Sequence, residues 1–432
     1  MNGYIKKVFG NSAWVIGSKI INIVVGLLVS VLVTRYLGAD QKGQMASASA
    51  ISGFWGFIAS FGLFDIMVSK FAKERDKSAE IAASGMKLMF MGGILSFVLA
   101  IVSGLILKVT TNVLIYVAIS AAVYIFQCLS IYEYWFYSNS NSKKFAIAQS
   151  ILHIIFLLLR LAGVPLKVDL IYFVLLAALE TIITYCSLYV CYRRTGCFFV
   201  GAFKPNKDIT SELFKTAIPM IAMGFATTIY MKVDQIMVGK LMGNMELGFY
   251  SVAVNLAEYW YFVPATLYGS FLPMLTKSSE HKEEFKNRLQ QFADIMVGIG
   301  FFAAFGVLIF GKWGIGILYG DEFSKSAEIL MVYIWSGLFT CIGYSGQAYY
   351  IIHKDTKTVM WINIAGACLN FILNLILISV LGSVGAALAT LLEYAIVLLG
   401  QMILLRKKYG ELYIIQLKSL FPFLRIGKYI KS

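Results

Sequence analysis

Long uninterrupted apolar runs, separated by short polar breaks, limit what this chain can fold into more than any other feature of its sequence. Each run is about 20 residues or longer, the length that an α-helix needs to cross the hydrocarbon core of a bilayer. Transmembrane β-strands alternate between apolar and polar residues and do not give such runs. Because 59% of the residues are hydrophobic and only 14% are charged, a soluble fold is excluded.

The runs predict an all-α integral membrane protein with twelve transmembrane helices and no room for a large globular domain. The predicted spans are 11–37, 44–68, 86–107, 113–138, 145–166, 170–192, 213–240, 248–275, 291–319, 326–352, 357–380 and 384–405. The first run continues into Arg35 without a small-residue cleavage pattern, which predicts a retained helix rather than a signal peptide.

The distribution of Lys and Arg predicts the orientation of these helices. With twelve spans both termini lie on one side, and that side carries 25 of the 37 basic residues, whereas the other side carries 7. Cytoplasmic loops are enriched in Lys and Arg, so both termini are expected in the cytoplasm. The net charge of +14 then reflects topology. Nucleic acid is not expected as a partner, because no cytoplasmic segment is long enough to fold as a reader domain.

Two echoes within the sequence indicate an internal repeat. The stretch 35–43, RYLGADQKG, resembles 240–248, KLMGNMELG, with a base and two glycines at the same spacing and an offset of 205 residues. Leu-Ala-rich stretches that end at Glu180 and Glu393 repeat at an offset of 213 residues. Since six helices separate the copies, the repeat predicts two parallel six-helix lobes around a cleft that opens to each side in turn.

The repeat divides the chain into four predicted segments. They are an N-terminal lobe at 1–195, a cytoplasmic linker at 196–211, a C-terminal lobe at 212–405 and a basic cytoplasmic tail at 406–432. The tail mixes bases with apolar residues such as Leu412 and Phe421. Two interpretations of it stay open, namely a helix lying on anionic membrane lipid and a partly ordered tail.

Three motifs in order along the chain resemble a known family. They are RYLG at 35–38 with FGLFD at 61–65, then YMKVDQIMVG at 230–239 with GFYSVA at 248–253, and NFILN at 370–374 with GSVGAALAT at 382–390. This order is similar to that of bacterial polysaccharide-export proteins, the O-antigen (Wzx-type) flippases. The resemblance covers nearly the whole chain.

The resemblance implies the fold of the multidrug/oligosaccharidyl-lipid/polysaccharide (MOP) transporters, which is MATE-like, and a multi-pass location in the bacterial inner membrane. It further implies transfer of undecaprenyl-pyrophosphate-linked O-antigen or capsule repeat units across that membrane, for lipopolysaccharide or related polysaccharide biosynthesis. Coupling to H+ or Na+ and contact with other polysaccharide-assembly membrane proteins are part of the same expectation.

Three other functions are alternatives. A multidrug or organic-cation antiporter and a flippase of lipid-linked peptidoglycan precursors share the expected fold. A cleft for organic cations should carry net negative charge, whereas several cations lie inside the spans of this chain. A membrane polymerase or ligase needs a substantial outer catalytic loop, and the predicted outer loops are too short for one, so no enzyme activity is expected.

Four polar residues inside the spans are candidate ligands for the cargo: Lys19, Asn22, Arg160 and Lys232. An ionisable side chain is costly in hydrocarbon, so each should face a cavity, a partner or an interface. Lys19 shares a polar stripe with Asn22, and Arg160 lies on one helix face with His153. Cations of this kind can carry a pyrophosphate, which Arg binds in bidentate fashion. The competing interpretation is that Arg160 and Lys232 snorkel to an interface or pair with a helix carboxylate.

Four carboxylates inside the spans are candidates for coupling or gating: Glu180, Asp234, Glu258 and Glu393. Glu180 and Glu393 occupy matching places in the two halves, and a carboxylate buried in a membrane can bind and release a proton as a cavity opens. The competing interpretation of these two is a hydrogen-bonded packing residue. For Asp234 it is a structural bond to a helix end or to a cation.

Metal and cofactor sites are not expected. The six cysteines contain no Cys-x-x-Cys pair, and the three histidines lack a metal-ligand spacing. No phosphate-binding glycine-rich loop is present, which excludes ATP as the direct energy source.

Overall fold

A computed structural model describes the backbone of residues 2–139, 143–195, 204–422 and 425. Side chains are described from Val25 onward in these ranges, except those of residues 143, 144, 222, 226, 230 and 356. The described residues form helices and contain no strand, which confirms the predicted all-α class.

In chain order, the α-helices within the described residues are α1 (Asn2–Phe54), α2 (Gly56–Ser60), α3 (Phe64–Lys73), α4 (Ser78–Ile106), α5 (Thr111–Phe126), α6 (Ile131–Ser138), α7 (Lys143–Gly163), α8 (Leu170–Arg193), α9 (Lys207–Met242), α10 (Asn244–Trp260), α11 (Phe262–Ser278), α12 (Lys282–Tyr319), α13 (Ser324–Ile352), α14 (Thr356–Leu404) and α15 (Arg406–Ser419).

Glycines with positive φ break the longest helical segments where the sequence predicts span ends. Gly38 interrupts α1 with φ 73°, and Gly382 interrupts α14 with φ 61°. Gly243 stands between α9 and α10 with φ 88°. A side chain with a Cβ avoids these conformations, so the glycines fix where each hairpin turns.

Seven helices among the described residues are long and apolar enough to cross a membrane, and two bent pairs would bring the number to nine. Large apolar side chains stand exposed on them, as at Phe302 and Leu404, which are both 82% exposed. Such exposure is expected of a surface solvated by hydrocarbon. The total of twelve spans and the cytoplasmic position of the termini stay predictions.

The chain forms two compact units, Met1–Lys232 and Val233–Ser432, with the boundary inside α9. In the first unit a buried cluster around Met67, Ile131 and Tyr192 also takes in Leu213 and Ala217 from the start of α9. In the second unit α12 and α13 pack with α15 around Phe292 and Leu412. The segment limits predicted from the repeat stay predictions.

Candidate functional site

Arg160 forms an ion pair with Glu180 within the first unit. The Arg160 Nη2 atom lies 2.5 Å from Glu180 Oε2, and the Nδ1 atom of His153 lies 2.6 Å from the other carboxylate oxygen. All three side chains are partly buried, with 15% of Glu180 and 18% of Arg160 exposed. A carboxylate oxygen that contacts a histidine nitrogen acts as the acceptor, so His153 donates from Nδ1.

Helix periodicity brings these side chains together. His153 and Arg160 are seven residues apart on α7 and share a face, while Ile151, Ile154 and Leu158 are exposed on the opposite face. The inner face of α7 packs on α8, which supplies the carboxylate, and on α1. The site is therefore set between membrane helices rather than on a loop.

Gly26 of α1 lies opposite the histidine. A Cβ added at Gly26 would lie 3.6 Å from His153 Nε2, the ring nitrogen that does not contact Glu180. The sequence predicted that His153 and Arg160 share one helix face, but it gave His153 no role. Its spacing of seven residues from Arg160 was the available signal.

A second carboxylate site lies in the other unit. Asp234 is 6% exposed and accepts a hydrogen bond of 2.5 Å from the hydroxyl of Tyr250, which is fully buried on α10. The backbone N–H of Gln235 donates to the second oxygen at 2.7 Å. Sequence reasoning named Asp234 but missed Tyr250, because nothing in the spacing between α9 and α10 marks which tyrosine faces inward.

Glu393 is 2% exposed on the second half of α14 and approaches Gly366 on the first half. A Cβ added at Gly366 would lie 2.6 Å from Glu393 Oε1, so only glycine leaves room for the carboxylate. Gly366 precedes Glu393 by 27 residues, as His153 precedes Glu180. The two glutamates thus face equivalent positions of the preceding span, occupied by a histidine in one unit and a glycine in the other.

The asparagines of the same span make bonds within their own helix. Asn374 is fully buried and donates to the carbonyl and to the side-chain oxygen of Asn370, at 2.9 and 2.8 Å. These bonds use the amide N–H groups of Asn374 within its own helix, while its Oδ1 atom is buried without a hydrogen-bond partner among the described residues.

The remaining predicted residues are spread over both units. Lys232 is half-buried, and a Cβ added at Gly53 would lie 4.0 Å from its Cε atom. Glu258 is half-buried near the end of α10. The side chains of Lys19 and Asn22 lie outside the described residues.

Metal ligation has no support in the described part of the chain. No group of three or more His, Cys, Asp or Glu side chains there is arranged to hold a metal ion.

Solved structures with this fold cover nearly the entire chain. A lipid II flippase, MurJ, in an inward closed conformation has a TM-score of 0.65 and 18% identity, over 97% of this chain and 93% of that one. An inward-facing multidrug resistance MATE family transporter of the MOP superfamily has a TM-score of 0.69 and 12% identity, over 95% and 96%. At these identities the likeness is one of fold, and it confirms the predicted MATE-like class. The fold is therefore that of the flippases and transporters of the MOP superfamily.

Matches to family profiles assign the chain to a protein family as well as to a fold. The profile described as polysaccharide biosynthesis protein matches residues 8–279, and the MatE profile matches residues 219–376. The chain belongs to the polysaccharide biosynthesis protein family, which confirms the resemblance to polysaccharide flippases and the prediction of a multi-pass inner-membrane protein.

One curated relative is the probable low-salt glycan biosynthesis flippase Agl15 of Haloferax volcanii. It is 24% identical over 204 residues, which are 45% of this chain and 41% of the relative. The match thus spans about two fifths of the relative's length.

Proposed function

We propose that this protein is a flippase for undecaprenyl-pyrophosphate-linked oligosaccharide repeat units of the O-antigen or capsule type. It moves them from the cytoplasmic to the periplasmic leaflet of the inner membrane by cation-coupled alternating access. The family assignment and the role of Agl15 as a probable glycan biosynthesis flippase support a lipid-linked glycan as the cargo. The observation that carries the proposal is the Arg160–Glu180 ion pair with its attached histidine, inside two membrane-spanning helices.

The charges of this site suit an anionic cargo. Glu180 accepts from Arg160 on one oxygen and from His153 on the other, so it does not offer the unpaired carboxylate that an organic cation needs. A pyrophosphate resembles the carboxylate in being a bidentate acceptor, and it competes with Glu180 for the Arg160 guanidinium. Exchange of Arg160 between Glu180 and the cargo therefore links cargo binding to the charge state of Glu180.

The other predicted residues have defined parts in this proposal. Lys19, Asn22 and Lys232 extend the polar route for the pyrophosphate. Asp234, Glu258 and Glu393 bind the coupling cation, H+ or Na+, in the second unit. Buried carboxylates such as Asp234 and Glu393 can do so because each neutralisation removes the cost of a charge in a low-dielectric interior.

Leaflet transfer in proteoliposomes tests the proposal. The cargo is a fluorescent undecaprenyl-pyrophosphate oligosaccharide, and transfer is read from quenching at the outer surface. We expect Arg160→Ala and Lys19→Ala to lose transfer, while Lys312→Gln, at an exposed position of α12, keeps it. Normal transfer in both alanine variants, with normal folding, contradicts the cationic route.

A matched pair of variants separates transport from stability. Arg160→Ala leaves Glu180 without its guanidinium partner, whereas the double variant Arg160→Gln with Glu180→Gln removes both charges and keeps similar volumes. We expect the double variant to fold like the wild type and to lose transfer. If the double variant transfers the cargo at the wild-type rate, the ion pair has only a structural role and the proposed role in transport is wrong.

A further inference from the structure

Helix α15 has a protein-facing side that is firmly attached to the second unit. Leu412 and Ile415 are buried, and Gln416 is 1% exposed. The Gln416 amide donates to the carbonyl of Ile342 and to the hydroxyl of Ser345 on α13, both at 3.3 Å.

Arg425, which follows α15 in the chain, forms an ion pair with Asp294 of α12. Arg425 donates from Nε and Nη2 to the two oxygens of Asp294, at 2.8 and 2.9 Å, and Asp294 is 1% exposed. Gln290 also donates to Asp294, at 2.9 Å, and to the carbonyl of Ile415, at 3.2 Å. The buried carboxylate of a membrane helix thus receives its counter-charge from the segment that follows α15.

The other side of α15 is exposed, and it combines apolar with basic side chains. Ile414 is 51% exposed and Leu417 is 49% exposed, and Phe421 just beyond the helix is 64% exposed. Lys418 lies on this same side by helical spacing, and Lys407 is exposed just before Tyr409, where the helical geometry is interrupted. The acidic residue there, Glu411, is paired with Lys282 at 2.8 Å, so the face is cationic.

Lipid-exposed surface reaches the start of the helix. Ile403 and Leu404, the last residues of α14, are 74% and 82% exposed. Because α15 begins two residues later, at Arg406, the helix directly follows this exposed apolar surface in the chain.

We propose that the outer face of α15 binds anionic phospholipid headgroups of the leaflet beside it, and that this binding keeps the helix and Arg425 docked on the second unit. The apolar side chains enter the acyl boundary and the lysines contact the phosphates, the arrangement of an interfacial amphipathic helix. The positive face matches the negative surface of that leaflet. One helix therefore binds protein on one side and lipid on the other, independently of the cargo.

Hydrogen exchange of the full chain in vesicles tests this proposal. The vesicles contain phosphatidylcholine either alone or mixed with phosphatidylglycerol. We expect the α15 amides to be protected more strongly in the mixed vesicles. Lys407→Gln with Lys418→Gln should raise their exchange in mixed vesicles by about 25-fold, about fivefold for each charge, and change it little in phosphatidylcholine.

Two controls keep the result interpretable. Lys204→Gln with Lys207→Gln makes the same charge change at exposed positions of the first unit and should leave α15 exchange unaltered. Exchange of the α13 amides reports whether the second unit is folded. Equal protection of α15 in both vesicle types, or no response to the lysine substitutions in mixed vesicles, overturns the proposal.

Discussion

Gly38 and Gly243, 205 residues apart, adopt nearly the same backbone conformation, with φ and ψ of 73° and 178° at the first and 88° and 176° at the second. Each stands at the turn of a helical hairpin, one in each compact unit. Glycine alone adopts this region at low cost. The weak sequence echo between 35–43 and 240–248 is thus matched by a local conformational repeat.

Alanine at either glycine should destabilise the protein. The positive φ of Gly38 and Gly243 predicts a cost of about 2 kcal/mol in the free energy of unfolding for Gly38→Ala and for Gly243→Ala. A Cβ at Gly243 meets no atom within 4 Å, so its effect reports conformation rather than crowding. Gly298→Ala, in the interior of α12 with similar free space, should instead be neutral or stabilising. Chemical unfolding in detergent measures all three.

The Arg160–Glu180 pair should show strong coupling in a double-mutant cycle. Because both side chains are mostly buried, Arg160→Gln alone leaves an uncompensated charge and should cost about 3 kcal/mol of unfolding free energy. Adding Glu180→Gln should recover most of that loss. Additive effects of the two substitutions exclude a direct ion pair between these side chains.

Crowding between Gly366 and Glu393 predicts a compensating substitution. Gly366→Ala places a methyl group 2.6 Å from Glu393 Oε1 and should cost about 2 kcal/mol in stability. Glu393→Asp shortens the side chain by one methylene and should restore part of the loss in the double variant. Gly400→Ala, later on the same helix with no atom within 4 Å of its added Cβ, serves as the control. If Gly366→Ala behaves like Gly400→Ala in thermal unfolding, the contact is absent.

The hydroxyl of Tyr250 should matter more than its ring. Tyr250→Phe keeps the packing but removes a buried hydrogen bond to Asp234, which predicts a loss of about 2 kcal/mol. Tyr259→Phe removes a hydroxyl from a tyrosine that is 38% exposed and should be close to neutral. Similar unfolding free energies for both variants contradict the role assigned to Tyr250.

The contacts of Asp355, between α13 and α14, predict that the stability of the protein depends on pH. Hydrogen bonds from Lys408 and then from Tyr409 hold the pKa of its carboxyl well below the ordinary value. A lowered pKa stabilises the folded state above the unfolded pKa of about 4, and this contribution is lost as pH falls through the lower folded value. Lys408→Gln should therefore melt at a lower temperature than the wild type at neutral pH, and its melting temperature should fall less on acidification below pH about 4. If the melting temperatures of the variant and the wild type follow the same curve with pH, the contact between Lys408 and Asp355 does not stabilise the fold.

The continuous apolar runs predicted much of the fold, because a segment of this kind satisfies its backbone hydrogen bonds inside a bilayer by forming a helix. The predicted span limits at 37 and 44 bracket Gly38, and those at 380 and 384 bracket Gly382. The 44–68 span is divided among α1, α2 and α3, and the break between α2 and α3 contains Phe61 and Gly62, with φ of 51° and 60°. Hydropathy does not record such breaks.

The sequence identified several of the residues that form the candidate sites, but it did not show which side chains contact each other. Arg160 and Glu180 are each conspicuous in apolar helices, yet their pairing depends on how α7 packs on α8, which one sequence does not specify. Tyr250 and Gly366 carry no charge to mark them, and only the side chains that they contact reveal their importance. The packing of α15 on α12 and α13 was likewise hidden, because its buried and exposed faces both contain apolar residues.

The most direct measurement compares two cargoes in the same proteoliposomes: a labelled undecaprenyl-pyrophosphate oligosaccharide and a fluorescent organic cation. A lipid-linked oligosaccharide flippase transfers the first between leaflets, at a rate that vanishes in Arg160→Gln with Glu180→Gln, and leaves the second untransported. Uptake or extrusion of the organic cation without leaflet transfer of the oligosaccharide contradicts the proposed function and assigns the chain to multidrug antiport.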